Sequence, residues 1–169
     1  MSNFKEICAA HKEFQSKSYA YKVSCTDFAS ELGNKYIQYL GITEADYRWV
    51  PASDDYTEKE NFNIPAVMHF DDDTYWHMGL KIKLSTAHDI FPQQELLIIF
   101  KFKPKPKMKN TFAVMVDGDS KQHDIETWSD TSYTAFFTHI QKLIMGLYKD
   151  NQDNYLASQQ ENWTIGFIK

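Results

Sequence analysis

His69, Asp71, Tyr75 and His77 are the residues of this chain whose types and spacing could do chemistry. They lie in AVMHFDDDTYWHMGLKIKL, residues 66–84, where apolar and polar side chains alternate. Trp76, Met78, Leu80, Ile82 and Leu84 take turns with His77, Gly79, Lys81 and Lys83, the period of two expected of a strand with one buried and one solvated face. Met68 and Phe70 repeat the pattern upstream. Both apolar sets reach one core only if Met68 faces Met78 and Phe70 faces Trp76, because a one-residue slip would turn one set outward. That register sets His69 opposite His77 and Asp71 opposite Tyr75, with Asp72, Asp73 and Thr74 as the turn.

Opposed residues in an antiparallel pair have Cβ atoms about 4.5–5.5 Å apart, close enough for His69 and His77 to share a divalent metal such as zinc. A catalytic zinc takes three protein ligands and a water. Asp71, or a histidine from another segment such as His88 or His123, would have to converge on the pair, with Tyr75 as a hydrogen-bond donor. The plainer reading, two half-exposed imidazoles on a wet sheet face, fits the sequence better. Asp71-Asp72-Asp73 and Asp117-Gly118-Asp119 lack the alternating ligands and distal Glu of a calcium loop and read as turns. In the dipeptides His88-Asp89 and His123-Asp124, neighbours on a strand point to opposite faces, so each histidine would need its carboxylate from elsewhere. GxSxG, HExxH, GxGxxG and P-loop motifs are missing, and the six glycines are scattered, which argues against a phosphate cradle and nucleotide-dependent catalysis.

Lys101, Lys103, Lys105, Lys107 and Lys109 occupy every second position of KFKPKPKMKN. In an extended chain they form a basic ridge for an acidic partner, an anionic ligand or a single strand of nucleic acid. Lysine and proline ending an apolar strand also protect a sheet edge from pairing, and Pro104 and Pro106 remove two ladder donors. Edge protection accounts for both residue types and is the stronger reading. Leu97, Ile99, Ala113 and Met115 fall on the outer face of the expected sheet. They form an exposed apolar interface, with homodimerisation its simplest use, if helices cover one side only.

The elements that must position these groups follow from periodicity. Phe4, Ile7, Ala10, His11 and Phe14 predict a short N-terminal amphipathic helix, SYAYKVS a brief strand, and Phe28, Leu32, Tyr36 and Leu40 a second helix capped by Ser24 or Thr26 and closed by Gly41. Residues 42–63 read as loop with a short strand at Tyr47 to Val50. Alternation then predicts strands at residues 95–103, 111–117 and 122–127, a helix from Ser129 or Asp130 past Leu147, and a last strand through Trp163, Ile165 and Phe167. The sum is a single α+β domain over residues 1–169: an antiparallel meander of about five strands against two N-terminal helices and one long C-terminal helix.

Composition narrows the function. A chain of 169 residues with 15% aromatics can bury roughly 70% of the surface it exposes when unfolded. Net charge is −5, and the basic residues are seventeen lysines and the single Arg48; with so little of the side chain that best grips phosphate and guanine, nucleic acid is a disfavoured partner. No apolar run approaches a membrane span, and no leader pattern opens the sequence, so a cytoplasmic protein without membrane contact is expected. Cys8 and Cys25 form no metal spacing and are expected reduced. These features predict a small binding or accessory protein, such as an immunity, inhibitor or interaction module of a bacterium or phage, that meets a protein partner by surface complementarity, without catalysis or cofactor. Two alternatives are a metal-binding domain or metal-assisted hydrolase using His69, Asp71 and His77, and a sheet that holds a small apolar or anionic ligand with Lys81 or Lys101 as its anchor.

Overall fold

From Ser2 to Leu32 the sequence holds no glycine and no proline, and nothing in that run stops a helix once it has started. In a computed structural model, which describes residues 2–52, 62–84, 94–150 and 162–165, the two expected N-terminal helices are one. Helix α1 spans Asn3–Leu40, about 57 Å at 1.5 Å per residue. The expected strand at SYAYKVS is absorbed into it, because the weak β preference of a few aromatic and β-branched residues does not repay breaking a propagating helix. Thr26, expected as a cap, bonds back to the Lys22 carbonyl at 2.8 Å inside the helix. Gly41 ends it in the left-handed region at φ 66°, its N–H donating to the carbonyls of Ile37 and Gln38, a conformation that suits glycine.

The remaining elements are β1 (Tyr47–Val50), α2 (Ile64–Val67), β2 (His69–Phe70), β3 (Trp76–Leu84), β4 (Gln94–Pro104), β5 (Thr111–Val116), β6 (His123–Glu126), α3 (Asp130–Asp150) and β7 (Asn162–Ile165). They form an α+β fold around one sheet in the order β1-β3-β4-β5-β6. Five strands make up this path, as expected, and β2 and β7 pair off it to bring the sheet to seven, because two edges are each shared. β1 and β2 both pair with β3, antiparallel, at Gly79–Ile82 and at Trp76–His77. β5 pairs antiparallel with residues 100–104 of β4, while β7 pairs parallel with residues 95–98 of the same strand.

Both long helices pack on one face. Phe28, Leu32 and Tyr36 of α1 and Tyr133, Phe136, Phe137 and Ile140 of α3 bury against Met78, Leu80, Ile98, Phe100, Phe102, Phe112 and Val114. Phe28 stacks on Phe112 at 3.9 Å between ring centroids, and Tyr36 meets Phe100 edge-on at 5.4 Å, geometries that aromatic pairs favour. Gly33 lets α1 close on Trp49 and Ile64: a Cβ there would come within 2.6 Å of Ile64 Cδ1 and 2.8 Å of the Trp49 ring. Cys25 is the first fully buried residue of α1, and burial pushes its thiol up to about 11. Exposed Cys8 lies seventeen residues away on the same helix, about 25 Å, too far for the two to pair.

The other face of the sheet departs from the solvated row expected of it. His77 is only 8% exposed, and Ile99, Ala113 and Val50 are buried. The expected exposed patch of Leu97, Ile99, Ala113 and Met115 is therefore not formed: Leu97 and Met115 are half-buried and the other two are covered. Gly79 has its part in this, since a Cβ there would strike the Val50 carbonyl at 2.7 Å. Among the described residues no helix is long and apolar enough to cross a membrane.

Candidate functional site

The hairpin register is the expected one: His69 pairs with His77, Phe70 with Trp76, and the Asp71 N–H donates to the Tyr75 carbonyl at 3.1 Å. Thr74 closes the turn at φ 69°. Side-chain placement differs. Phe70 meets Trp76 edge-on at 5.3 Å yet stays 47% exposed, so it caps the sheet margin instead of entering the core. Met68 lies outside the two-residue ladder and packs partly against the core. His69 is exposed while its partner His77 is buried.

His77 finds its partner in the turn. Its Nε2 lies 3.0 and 3.1 Å from the two carboxylate oxygens of Asp73. An ionised carboxylate only accepts, so Nε2 is the donor in this contact. The long register of β3 against β4 sets His77 beside Lys101, and the Lys101 ammonium reaches Asp73 at 2.6 Å and Asp117 at 3.8 Å. Burial raises the Asp73 carboxyl, but the bonds from Lys101, the Tyr75 N–H and His77 outweigh it and hold the group down at about 2. Lys101 is correspondingly raised: burial works against its charge, and Asp73 and Asp117 more than restore it. These groups line a cavity of about 330 Å³ with Asp71, Ala52 and Ile99.

Three carboxylates therefore face one ammonium and one imidazole. Among the described residues the lining supplies proton-holding groups and neither hydroxyl nor thiol, and its charge favours a cationic guest over an anion. His69, Asp71 and His77 do not converge as a ligand set: His77 is turned to Asp73, and Asp71 Oδ1 accepts from the Asp72 N–H at 2.7 Å. Among the described residues no three His, Cys, Asp or Glu side chains are grouped as a metal ion would need.

The lysines are distributed, not ridged. β4 ends at Pro104, and Lys105 donates to the Thr111 carbonyl as the chain turns, so the alternation of Lys101, Lys103 and Lys105 does not continue through Lys107 and Lys109. Lys103 lies over the Tyr75 ring at 4.4 Å and Lys101 at 5.3 Å, a contact rings make with cations. Tyr75 donates its hydroxyl to Gln122. Lys105 pairs with Asp124 at 2.6 Å, and Lys81 with Glu95 at 3.6 Å. An anionic ligand anchored by Lys81 or Lys101 would compete with carboxylates already in place.

Sequence reasoning treated Asp73 and Asp117 as turn residues. Each also reaches an ion pair across strands, and the signal that could have found them is the β3–β4 register that brings Lys101 beside His77. It also missed His139, whose Nε2 lies 2.6 Å from Asp119 and whose ring is 4.9 Å from that of His123. Burial, then the neighbouring His139 and Lys121, lower the His123 pKa. His88 and Asp89 lie outside the described residues.

A row of uncovered apolar side chains lies elsewhere. Every residue of α1 up to Ser24 is exposed, with Phe4 at 73%, Ile7 at 65% and Phe14 at 69%. The helix meets the body from its middle onward, where Tyr19, Ala20, Val23 and Ser24 line a cavity with Asn110, Phe112 and Thr127. Against models of protein families, curated proteins and solved structures, the chain matches none.

Proposed function

We propose that this protein is a binding module that recognises a protein partner by surface complementarity, with the projecting half of α1 as its recognition element. The observation that carries the reading is the exposure of Phe4, Ile7 and Phe14 in one stripe of a helix whose own domain does not cover them. Helices that lie in a groove, or against another helix, present anchors at this spacing, and single-domain proteins seldom leave large aromatics uncovered in a row. The ion pairs of the sheet face support the same reading, since His77, Lys101 and Lys105 are engaged within the molecule. An accessory, immunity or inhibitor role in the cytoplasm of a bacterium or phage host falls within this class.

The test is association measured by chemical cross-linking and co-purification from the source cells, with full-length protein and an Ile7→Glu variant. Wild type should form a stoichiometric assembly that the variant loses while its body stays folded. Equal behaviour of the two would end the reading.

A second reading rests on the cavity at Asp73, His77, Lys101 and Asp117: it would hold a small cationic group, with the carboxylates as acceptors. Thermal unfolding with divalent cations and with simple diamines checks it. A ligand at about a hundred times its Kd adds roughly 2.7 kcal/mol, a gain that Asp73→Asn should remove.

A further inference from the structure

We infer that the projecting half of α1 pairs with the same segment of a second copy, antiparallel, about a two-fold axis that passes between Lys12 and Glu13. The inference rests on the interaction-module reading and names the partner. Phe4, Ile7, His11, Phe14, Ser18 and Tyr21 follow one another at alternating steps of three and four, and the series continues through buried Cys25, Phe28 and Leu32. Alternating three-four spacing keeps a seam facing a second helix along its length, which a groove-binding helix of one or two turns does not need.

Self-complementarity sets the orientation. Reversed and aligned about residues 12 and 13, Phe4 meets Tyr21 of the second copy, Ile7 meets Ser18, and His11 meets Phe14. Each large side chain lies against a smaller or polar one except in the outermost layers, and symmetry repeats each layer to give six. A parallel pair would stack Phe4 on Phe4 and His11 on His11, and would bring Lys17 toward Lys22 of the other chain, a repulsion between flanking positions. It would also run the second helix along the side that Cys25, Phe28 and Leu32 face. That space is taken by the chain's own Phe102, Phe112 and Tyr133. Reversal sends the second body off beyond the N-terminus, clear of the first.

The area suffices. Phe4, Ile7, Phe14 and Tyr21 leave on the order of 450 Å² of side chain uncovered per copy, taking about 150–250 Å² for a whole aromatic. A pair buries about 900 Å² from these alone, and the stems of Gln15 and Lys17 beside the seam carry it past the roughly 1,000 Å² of a specific contact. The interface is isologous, so it closes as a dimer and does not propagate.

Sedimentation equilibrium of the full chain from roughly 1 to 200 μM, the range in which so small an interface associates, should show mass rising from 19.8 kDa toward twice that value. Phe14→Glu enters two symmetry-related layers at once and should weaken the dimer at least about 100-fold with the circular dichroism of the body unchanged. In a Cys8→Ser background, oxidation of mixed Phe4→Cys and Tyr21→Cys chains should cross-link the two to each other and neither to itself. A wild-type mass that stays at 19.8 kDa, or a dimer that Phe14→Glu leaves intact, overturns the inference, and cross-links within each variant alone overturn the orientation. If wild type is monomeric but Ile7→Glu still abolishes capture of a different protein, the interaction module stands without its second copy. If neither association is seen, both fall.

Discussion

Residues 3–24 and 25–40 belong to one helix and continue one apolar stripe, yet the first stretch is exposed throughout and the second delivers Cys25, Phe28, Leu32 and Tyr36 to the core. The stripe says which side of the helix avoids water. It does not say what covers that side. In the C-terminal half the sheet does so, and the burial of each large side chain contributes on the order of 1.5–3 kcal/mol. In the N-terminal half the same chemistry is left over, with Phe4, Ile7 and Phe14 exposed, and this exposure is what the proposed contact rests on.

The difference can be broken most forcefully at Leu32. Leu32→Ala should cost about 3 kcal/mol in urea unfolding, within the 2–5 kcal/mol of a buried leucine truncation. Phe14→Ala, measured where the chain is monomeric, should cost less than about 0.5 kcal/mol. Similar losses at both positions would mean that the N-terminal half is covered by its own domain. Gly33→Ala sharpens the contrast within the buried half. Alanine is the better helix former by about 1 kcal/mol, but its Cβ would collide with Ile64 and Trp49, so a net loss of about 1–2 kcal/mol is expected, measured by the same unfolding curves. A gain would show that α1 does not seat on β1 and α2 this closely.

An effect smaller than that at Leu32 belongs to the ion network of the opposite sheet face. Asp73 is held at about 2 against an ordinary 3.8, so its ionised form stabilises the fold at pH above its unfolded value, and that contribution is lost as pH falls through about 2. Its side chain is 35% exposed, and solvent screening keeps the contribution on the order of 1 kcal/mol. Asp73→Asn should lower stability by that amount at pH 7 and flatten the acid limb of the stability curve between about pH 4 and 2, read by urea titration at each pH. An unaltered acid limb would mean that the network does not form in solution.

Much of the hairpin was legible because its parts are close in sequence. Two alternating apolar sets joined by a three-residue turn admit one register, so the pairing of His69 with His77 follows from residues 66–84. What happens to those histidines was not legible. The same alternation that sets the register predicts a wet row, and His77 is buried because Asp73, Lys101 and Asp117 assemble over it from a turn, a second strand and the end of a third. The interruption at SYAYKVS failed for a different reason. Local preference for strand is small beside the cooperativity of a helix already formed on both sides, and no glycine or proline marks a stop.

By itself, then, the sequence determined what short range and regular period can carry: the α+β class, the core-facing side of the strands, the register of the hairpin, the cap at Gly41, and two apolar stripes, at residues 4–14 and 28–40; that these join in one helix came from the structure. Tertiary structure decided which of those stripes finds a sheet, which strands share an edge, and which charges meet. The physical reason is that a periodic pattern specifies an orientation toward an apolar surface at almost no cost in chain entropy, whereas the identity of that surface depends on contacts between segments tens of residues apart, chosen by packing against everything else in the fold.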